Sequence, residues 1–345
     1  MAGRHTKVTA KMIAKRAGVS QPVVSAVLTG RPDTTVRFSE ETRQRVLEAA
    51  EQLNYRPSRA ARTLLSGRHR SLGVLVGTWR YVTAELVGAT CRAAWERGQT
   101  ITLEPMPRGE RITSRTSLPS MLREDVVDGL IVLQRAPEAI RKEMDRIGIP
   151  VVWVNTEMRG RPGCITCDEA ASMRVGAEHL ASRGRRRIGM VDAGPAEHYW
   201  ERERRPALSR AAEALGLEPP RFLRVHGDIY SGRVLPGVIA SVREWLDSNR
   251  DLDALVLGVD HLAPQVYRAL QGLGLSVPGE VAVLGVGDSP AAALAIPTVT
   301  ALRVRRAEMA GRAVEMVLGW LETGEAPEPE SFVHELVERE STAGT

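Results

Sequence analysis

The chain has 345 residues, 43% hydrophobic and 26% charged, the composition of an ordinary globular protein and enough length for two or three domains. No apolar run approaches the roughly 20 residues that span a bilayer, and the opening MAGRHTKVTAKM has no apolar stretch behind its basic residues; neither a membrane anchor nor a secretory signal is expected, and the expected compartment is the cytoplasm. Residues 1–70 hold three Lys and eleven Arg against one Asp and four Glu, a net +9, so the remainder sums to −4 within a total of +5; a basic cap on a mildly acidic body predicts a polyanionic partner for the cap alone.

Thr9 stands where it can cap a helix running Ala10 to Ala17, with Ile13 and Ala17 on one face. Gly18 stops that helix and permits a tight turn, and Val19 plugs inward. Ser20 then caps a second helix, Gln21 to Leu28, whose first turn tolerates Pro22 because the missing N–H has no partner there. Val24, Val27 and Leu28 form its buried face; Gln21, Pro22, Ser25, Ala26 and Thr29 are left facing outward. Ser39 caps a third helix, with Glu40 and Glu41 at its positive end and Val46, Leu47, Ala50 and Leu53 as its core stripe. Tyr55 and Pro57 close the unit. This is the spacing of a helix-turn-helix, in which the exposed start of the second helix meets base edges in the major groove.

From Ser71 onward strand and helix patterns alternate. SLGVLVG (71–77), GLIVL (129–133), PVVWVN (150–155), ALVLGVD (254–260) and VAVLGVGD (281–288) are short apolar runs of the kind buried in parallel sheets. Helical patterns fall between them, at 83–97, 169–182, 201–215 and 305–322 among others, and one strand is expected near 332–338. Repeated βα units imply parallel sheets covered on both faces, and their number suggests two lobes.

VTAKMIAKRAGVSQPVVSAVLTG, SEETRQRVLEAAEQLNYRPSRAARTL and the closing LVEREST resemble the LacI/GalR family of transcription regulators, in one order from Val8 to about Thr342. The resemblance implies an α/β chain with an N-terminal helix-turn-helix headpiece (1–57), a hinge (58–67) and a two-lobed, periplasmic-binding-protein-like body with parallel sheets (68–345). It implies a repressor that binds a near-palindromic double-stranded DNA operator as a homodimer and responds to a small-molecule effector. In the hinge, Leu64 occupies the position of the family's minor-groove wedge, Ala61 packs beside it, and Arg59 and Arg62 would meet phosphates. The ending LVERESTAGT carries no leucine heptads, so a coiled-coil tetramer is not expected.

The resemblance also implies effector contacts, at the carboxyl ends of the strands. Trp200-Glu-Arg-Glu-Arg204 matches the family's W-x-R-x-R-type stretch, making Arg204 the first candidate, and a guanidinium suits carboxylates or vicinal hydroxyls. Asp168 and Asp260 match family aspartates, although each could simply cap a helix. Asp288 is left alone where the family has two aspartates, the first being Gly287 here. Glu169 and Val259 stand where the family has Asn, and Ile229 where it often has an aromatic. Trp79 and Tyr81, in a loop lacking the family's N-P-F-F, either line the cleft or cover it. With several hydroxyl-binding groups missing together, a free sugar would be underpaired by ~1–3 kcal/mol per lost partner, so the expected effector is more apolar or anionic, or absent. On the DNA side Pro22 and Ala26 cannot make paired base contacts, whereas Gln21 can, preferentially to adenine.

An enzyme is not expected. The chain has no G-x-x-x-x-G-K-[ST], G-x-G-x-x-G after a strand, G-x-S-x-G or H-E-x-x-H. Cys91, Cys164 and Cys167 are too few and too odd in number for a disulfide framework. Cys164-Ile-Thr-Cys167 has redox or half-zinc-site spacing, but no second Cys or His pair completes a metal site, and a short strand is the plainer reading. No cofactor or metal is therefore expected. The competing functions are a small-molecule-binding protein with a vestigial headpiece and an effector-independent regulator.

Overall fold

The computed structural model describes residues 8–29, 36–55, 63, 67–77, 81–107, 114–133, 135–156, 158–193, 199–229, 231 and 233–343. It divides into two compact units, Met1–Arg70 and Ser71–Thr345.

The described residues of the first unit include the helices Ala10–Ala17, Gln21–Thr29 and Glu40–Gln52. Gly18 ends the first with φ 69, a left-handed conformation that costs a glycine nothing. Thr9 precedes that helix with an extended backbone, but its side chain makes no capping hydrogen bond. Ser39 does cap the third helix, its hydroxyl accepting from Thr42 N at 3.2 Å. Ile13, Ala14, Ala17, Val24, Val27, Val46, Ala49 and Ala50 form the core. Ala49 takes the place expected of Leu47, which is exposed. Arg16 Nε donates to Gln52 Oε1 at 2.8 Å, tying the first helix to the third.

The second unit holds two six-stranded sheets. The strands are β1 (Ser71–Val76), β2 (Thr100–Pro105), β3 (Gly129–Leu133), β4 (Val151–Val154), β5 (Cys164–Cys167), β6 (Ile188–Ala193), β7 (Arg221–Val225), β8 (Ala254–Leu257), β9 (Ala282–Gly287), β10 (Thr300–Arg303), β11 (Glu330–Phe332) and β12 (Glu335–Val337). The first sheet has order β2-β1-β3-β4-β5-β11 and the second β7-β6-β8-β9-β10-β12. Among the described residues every pairing is parallel except β10 with β12.

Helices Tyr81–Glu96 and Arg306–Thr323 bury one face of the first sheet, and Glu138–Ile147 packs on the other. Helices Glu169–Ser182 and Tyr199–Ala214 bury one face of the second; Pro236–Asp247 and Ala263–Gly272 bury the other. Each fully buried Val, Leu or Ile in these layers contributes about 1.5–3 kcal/mol.

The chain passes between the lobes three times: from β5 into helix Glu169–Ser182, from β10 into helix Arg306–Thr323, and from β11 to β12. The single C-terminal strand expected near 332–338 is thus two three-residue strands in different sheets, with Val333 and His334 bridging them. Periodicity could not separate them, because the change of partner sheet is a tertiary event.

Candidate functional sites

On the second helix, Gln21 and Pro22 are exposed and Ser25 is half-buried, and a 3.6-residue repeat gathers these three on one arc roughly 100° wide; of Thr29 only the backbone is described. Ala26, expected on that arc, is only 7% exposed. It falls about 40° past Pro22, at the border between that arc and Val23, so the buried arc is wider than Val24, Val27 and Leu28 alone. Ser20 precedes the helix and its carbonyl accepts from Val24 N at 3.2 Å. The hinge residues Arg59, Ala61, Arg62 and Leu64 lie outside the described residues, as does Trp79; of Tyr81 only the backbone, at the start of its helix, is described.

Of the remaining effector candidates, Asp168, Ile229, Asp260 and Asp288 follow β5, β7, β8 and β9, while Arg204 stands within helix Tyr199–Ala214; each is engaged within the protein. Arg204, 5% exposed, points its Nε at Glu169 Oε2 (2.7 Å) and its Nη2 at Glu169 Oε1 (3.2 Å). Its Nη1 donates to the carbonyl of Gly258, and its guanidinium lies 4.6 Å from the Trp200 ring centroid. Glu169 is wholly buried at the first position of its helix, where the positive helix end also favours a carboxylate. The neighbouring Arg205 pairs with Asp192 and donates to Leu223 O at 3.0 Å.

Asp168 caps the same helix, its Oδ1 accepting from Ala171 N at 2.9 Å. Asp260 is buried, accepts from Ser289 N through Oδ2, and has His261 Nδ1 3.2 Å from Oδ1. Its carboxylate therefore reaches across to the turn after β9. Asp288, at φ 64, accepts from Arg303 Nε at 2.6 Å. Arg339 Nη2 is 2.7 Å from its other oxygen, an ion pair without hydrogen-bond geometry. Ile229 is buried in the second lobe's core. Gly287 has φ +133, and a Cβ there would stand 3.0 Å from Asp260 Oδ1, so the missing aspartate and the position of Asp260 are physically connected.

Four groups that local pattern did not single out hold the crossovers. Tyr199 is buried; its hydroxyl accepts from Cys167 N (2.9 Å) and donates to Asn155 Oδ1 (2.8 Å), joining a second-lobe helix to the first lobe. Arg306 Nη1 donates to Glu85 Oε2 (3.0 Å) and Gly287 O (2.9 Å). His334 and Glu169 lie beside Cys167. The replacement of Asn by Glu at 169 was the only one of these signals visible in the sequence. Cys164 and Cys167 are both in β5, where an odd separation puts them on opposite faces; no disulfide is present among the described residues. Burial pushes the Cys167 thiol up to about 12.

Residues 9–58 match the model for bacterial regulatory proteins of the lacI family, and residues 177–342 that for a periplasmic binding protein-like domain. The HTH-type transcriptional regulator CelR of Thermobifida fusca is 30% identical, over 98% of this chain and 99% of its own. A crystal structure of the lac repressor dimer bound to operator and the anti-inducer ONPF superposes with a TM-score of 0.79 at 22% identity, covering 98% of this chain and 99% of that one. The structure of a transcriptional regulator CelR-cellobiose complex gives 0.65 at 25% identity, covering 97% and 99%.

Proposed function

Because this chain belongs to the lacI family of bacterial regulatory proteins, we propose that it represses transcription in the cytoplasm by binding a near-palindromic operator as a homodimer. One observation carries the reading: the second helix stands on a closed three-helix core and offers Gln21, Pro22 and Ser25 on one solvent-facing arc. A helix so presented fits the major groove, and Gln21 supplies the paired donor and acceptor that read adenine. The net +9 of residues 1–70 gives the phosphate attraction. Residues 58–67 serve as the hinge, with Arg59 and Arg62 at phosphates and Leu64, flanked by Ala61, kinking the central step in the minor groove.

A two-fold protein selects a two-fold site. Selection from random duplexes with the full chain therefore yields two inverted half-sites whose central step is intolerant of change. Enrichment of a single unpaired half-site, or of no motif, would refute the reading.

The body's control of DNA affinity is a second matter. Arg204, Asp260 and Asp288 have their charges engaged by Glu169, by Ser289 N and His261, and by Arg303 and Arg339. That supports a regulator that takes no free sugar in its cleft, because a sugar hydroxyl would have to displace a charged partner. Simple sugars at millimolar concentration then leave the melting temperature unchanged; saturation at 100 times Kd would add about 2.7 kcal/mol and be plain in a melt.

A further inference from the structure

Two of the three crossovers between the lobes run side by side, because β11 pairs in parallel with β5, and Asp168 N donates to Phe332 O at 2.9 Å. This brings Cys167, Glu169 and His334 together, with Cys Sγ, a carboxylate oxygen and a ring nitrogen all within 4.8 Å of one another. All three side chains are buried, His334 being 3% exposed. His334 is fixed by its own backbone N–H, which donates to Ser172 Oγ at 3.0 Å. Yet neither of its ring nitrogens has a hydrogen-bond partner among the described residues. A buried imidazole with both nitrogens unpartnered lacks a neighbour it can bind, since burying such groups unpaired costs free energy.

We propose that Cys167, Glu169 and His334 bind a single zinc ion at this junction. The donor set is sulfur, nitrogen and carboxylate oxygen, the three donors that zinc takes in proteins, with a fourth position left for solvent. Ligands around zinc stand about 3.3–3.8 Å apart for bonds of 2.0–2.3 Å, so the three groups need only close inward by about an ångström. On binding, the Cys167 S–H bond breaks, its proton leaves to solvent, and the thiolate sulfur takes the metal. Thiolate and carboxylate together cancel the ion's two charges.

Arg204 does not occupy the site. It uses one lone pair on each Glu169 oxygen, leaving the others for the metal, and so acts as the outer partner that orients a metal-binding carboxylate. Arg306 also faces this junction; its Nη1 is committed to Glu85 and Gly287 O, and its Nε has no partner among the described residues. Bound zinc would tie the β5 crossover to the β11–β12 crossover and stiffen the hinge between the lobes. The assignment does not rest on the operator reading, since its test contains no DNA.

The metal-free full chain is titrated with Zn2+ by calorimetry and with Co2+ by absorption. The expected result is one ion per chain and a sulfur-to-cobalt charge-transfer band. Cys167→Ser and His334→Gln each lose at least about 100-fold in Zn2+ affinity, and Cys167→Ser loses the band, while Cys91→Ser keeps both. If either ligand variant fails to fold, the wild-type band decides. No stoichiometric zinc, no thiolate band, or unchanged affinity in folded Cys167→Ser and His334→Gln would overturn the proposal.

Discussion

Replacing Glu169 with Gln, in protein freed of metal by chelation, removes the charge that faces Arg204 and keeps the volume. Arg204 and Glu169 are 5% and 0% exposed, so water cannot take over. Two charge-assisted hydrogen bonds, at 2.7 and 3.2 Å, lose their ionic partner. At about 1.5–3 kcal/mol each they sum to roughly 3–6 kcal/mol, in line with the 3–5 kcal/mol typical when one partner of a buried pair is removed. For a body of this size 1 kcal/mol is worth about 2–4 °C, so the melting temperature should fall by roughly 6–24 °C. The double variant Glu169→Leu/Arg204→Met removes both charges and should recover most of that loss. The reasoning is wrong if Glu169→Gln melts within about 2 °C of the parent, or if the double variant is as unstable as the single.

Gly287→Asp, which restores the family's aspartate, should destabilise by about 1–3 kcal/mol or more: it strains a φ of +133 and sets a second side chain against Asp260. Urea unfolding with an unchanged slope would read it. Tyr199→Phe strands the buried Cys167 N–H and should cost about 1–3 kcal/mol, with faster hydrogen exchange at that amide. In acid, burial holds His334 down to about 4 and also lowers His179. For His334, Arg204 and Arg306 add to the lowering while Glu169 and Asp168 oppose it; for His179, Glu338 opposes and Arg183 adds. The unfolded chain then binds more protons, so metal-free stability is full above about pH 6.5 and falls as pH drops toward 4, by about 3 kcal/mol for His334. His334→Gln should flatten that slope.

The headpiece was the most legible part of the chain because its determinants are local. Gly18 needs positive φ, Ser39 caps its own helix, and the valines repeat at helical spacing. Ala26 was misplaced because a methyl group fits either arc, so its burial depends on what packs beside it. The buried strands announced themselves as apolar runs, but β11 and β12 merged into one, since three residues carry no period. The cleft was the least legible. Asp260 caps a turn across the sheet rather than its own helix. The partner of Arg204 is 35 residues away, and His334 meets Cys167 only because two crossovers lie side by side. Sequence marked Glu169 as unusual without saying what it faced.

Gln21 tests the central claim most directly, that the exposed arc of the second helix reads DNA. Binding of the full chain to its selected operator and to a scrambled duplex is measured by fluorescence anisotropy at one fixed salt concentration, for wild type and Gln21→Ala. The account predicts a loss of about 1–3 kcal/mol on the operator, roughly 5–150-fold, with scrambled DNA unaffected. Equal affinity of the two proteins for the operator, or an equal loss on both duplexes, would contradict it.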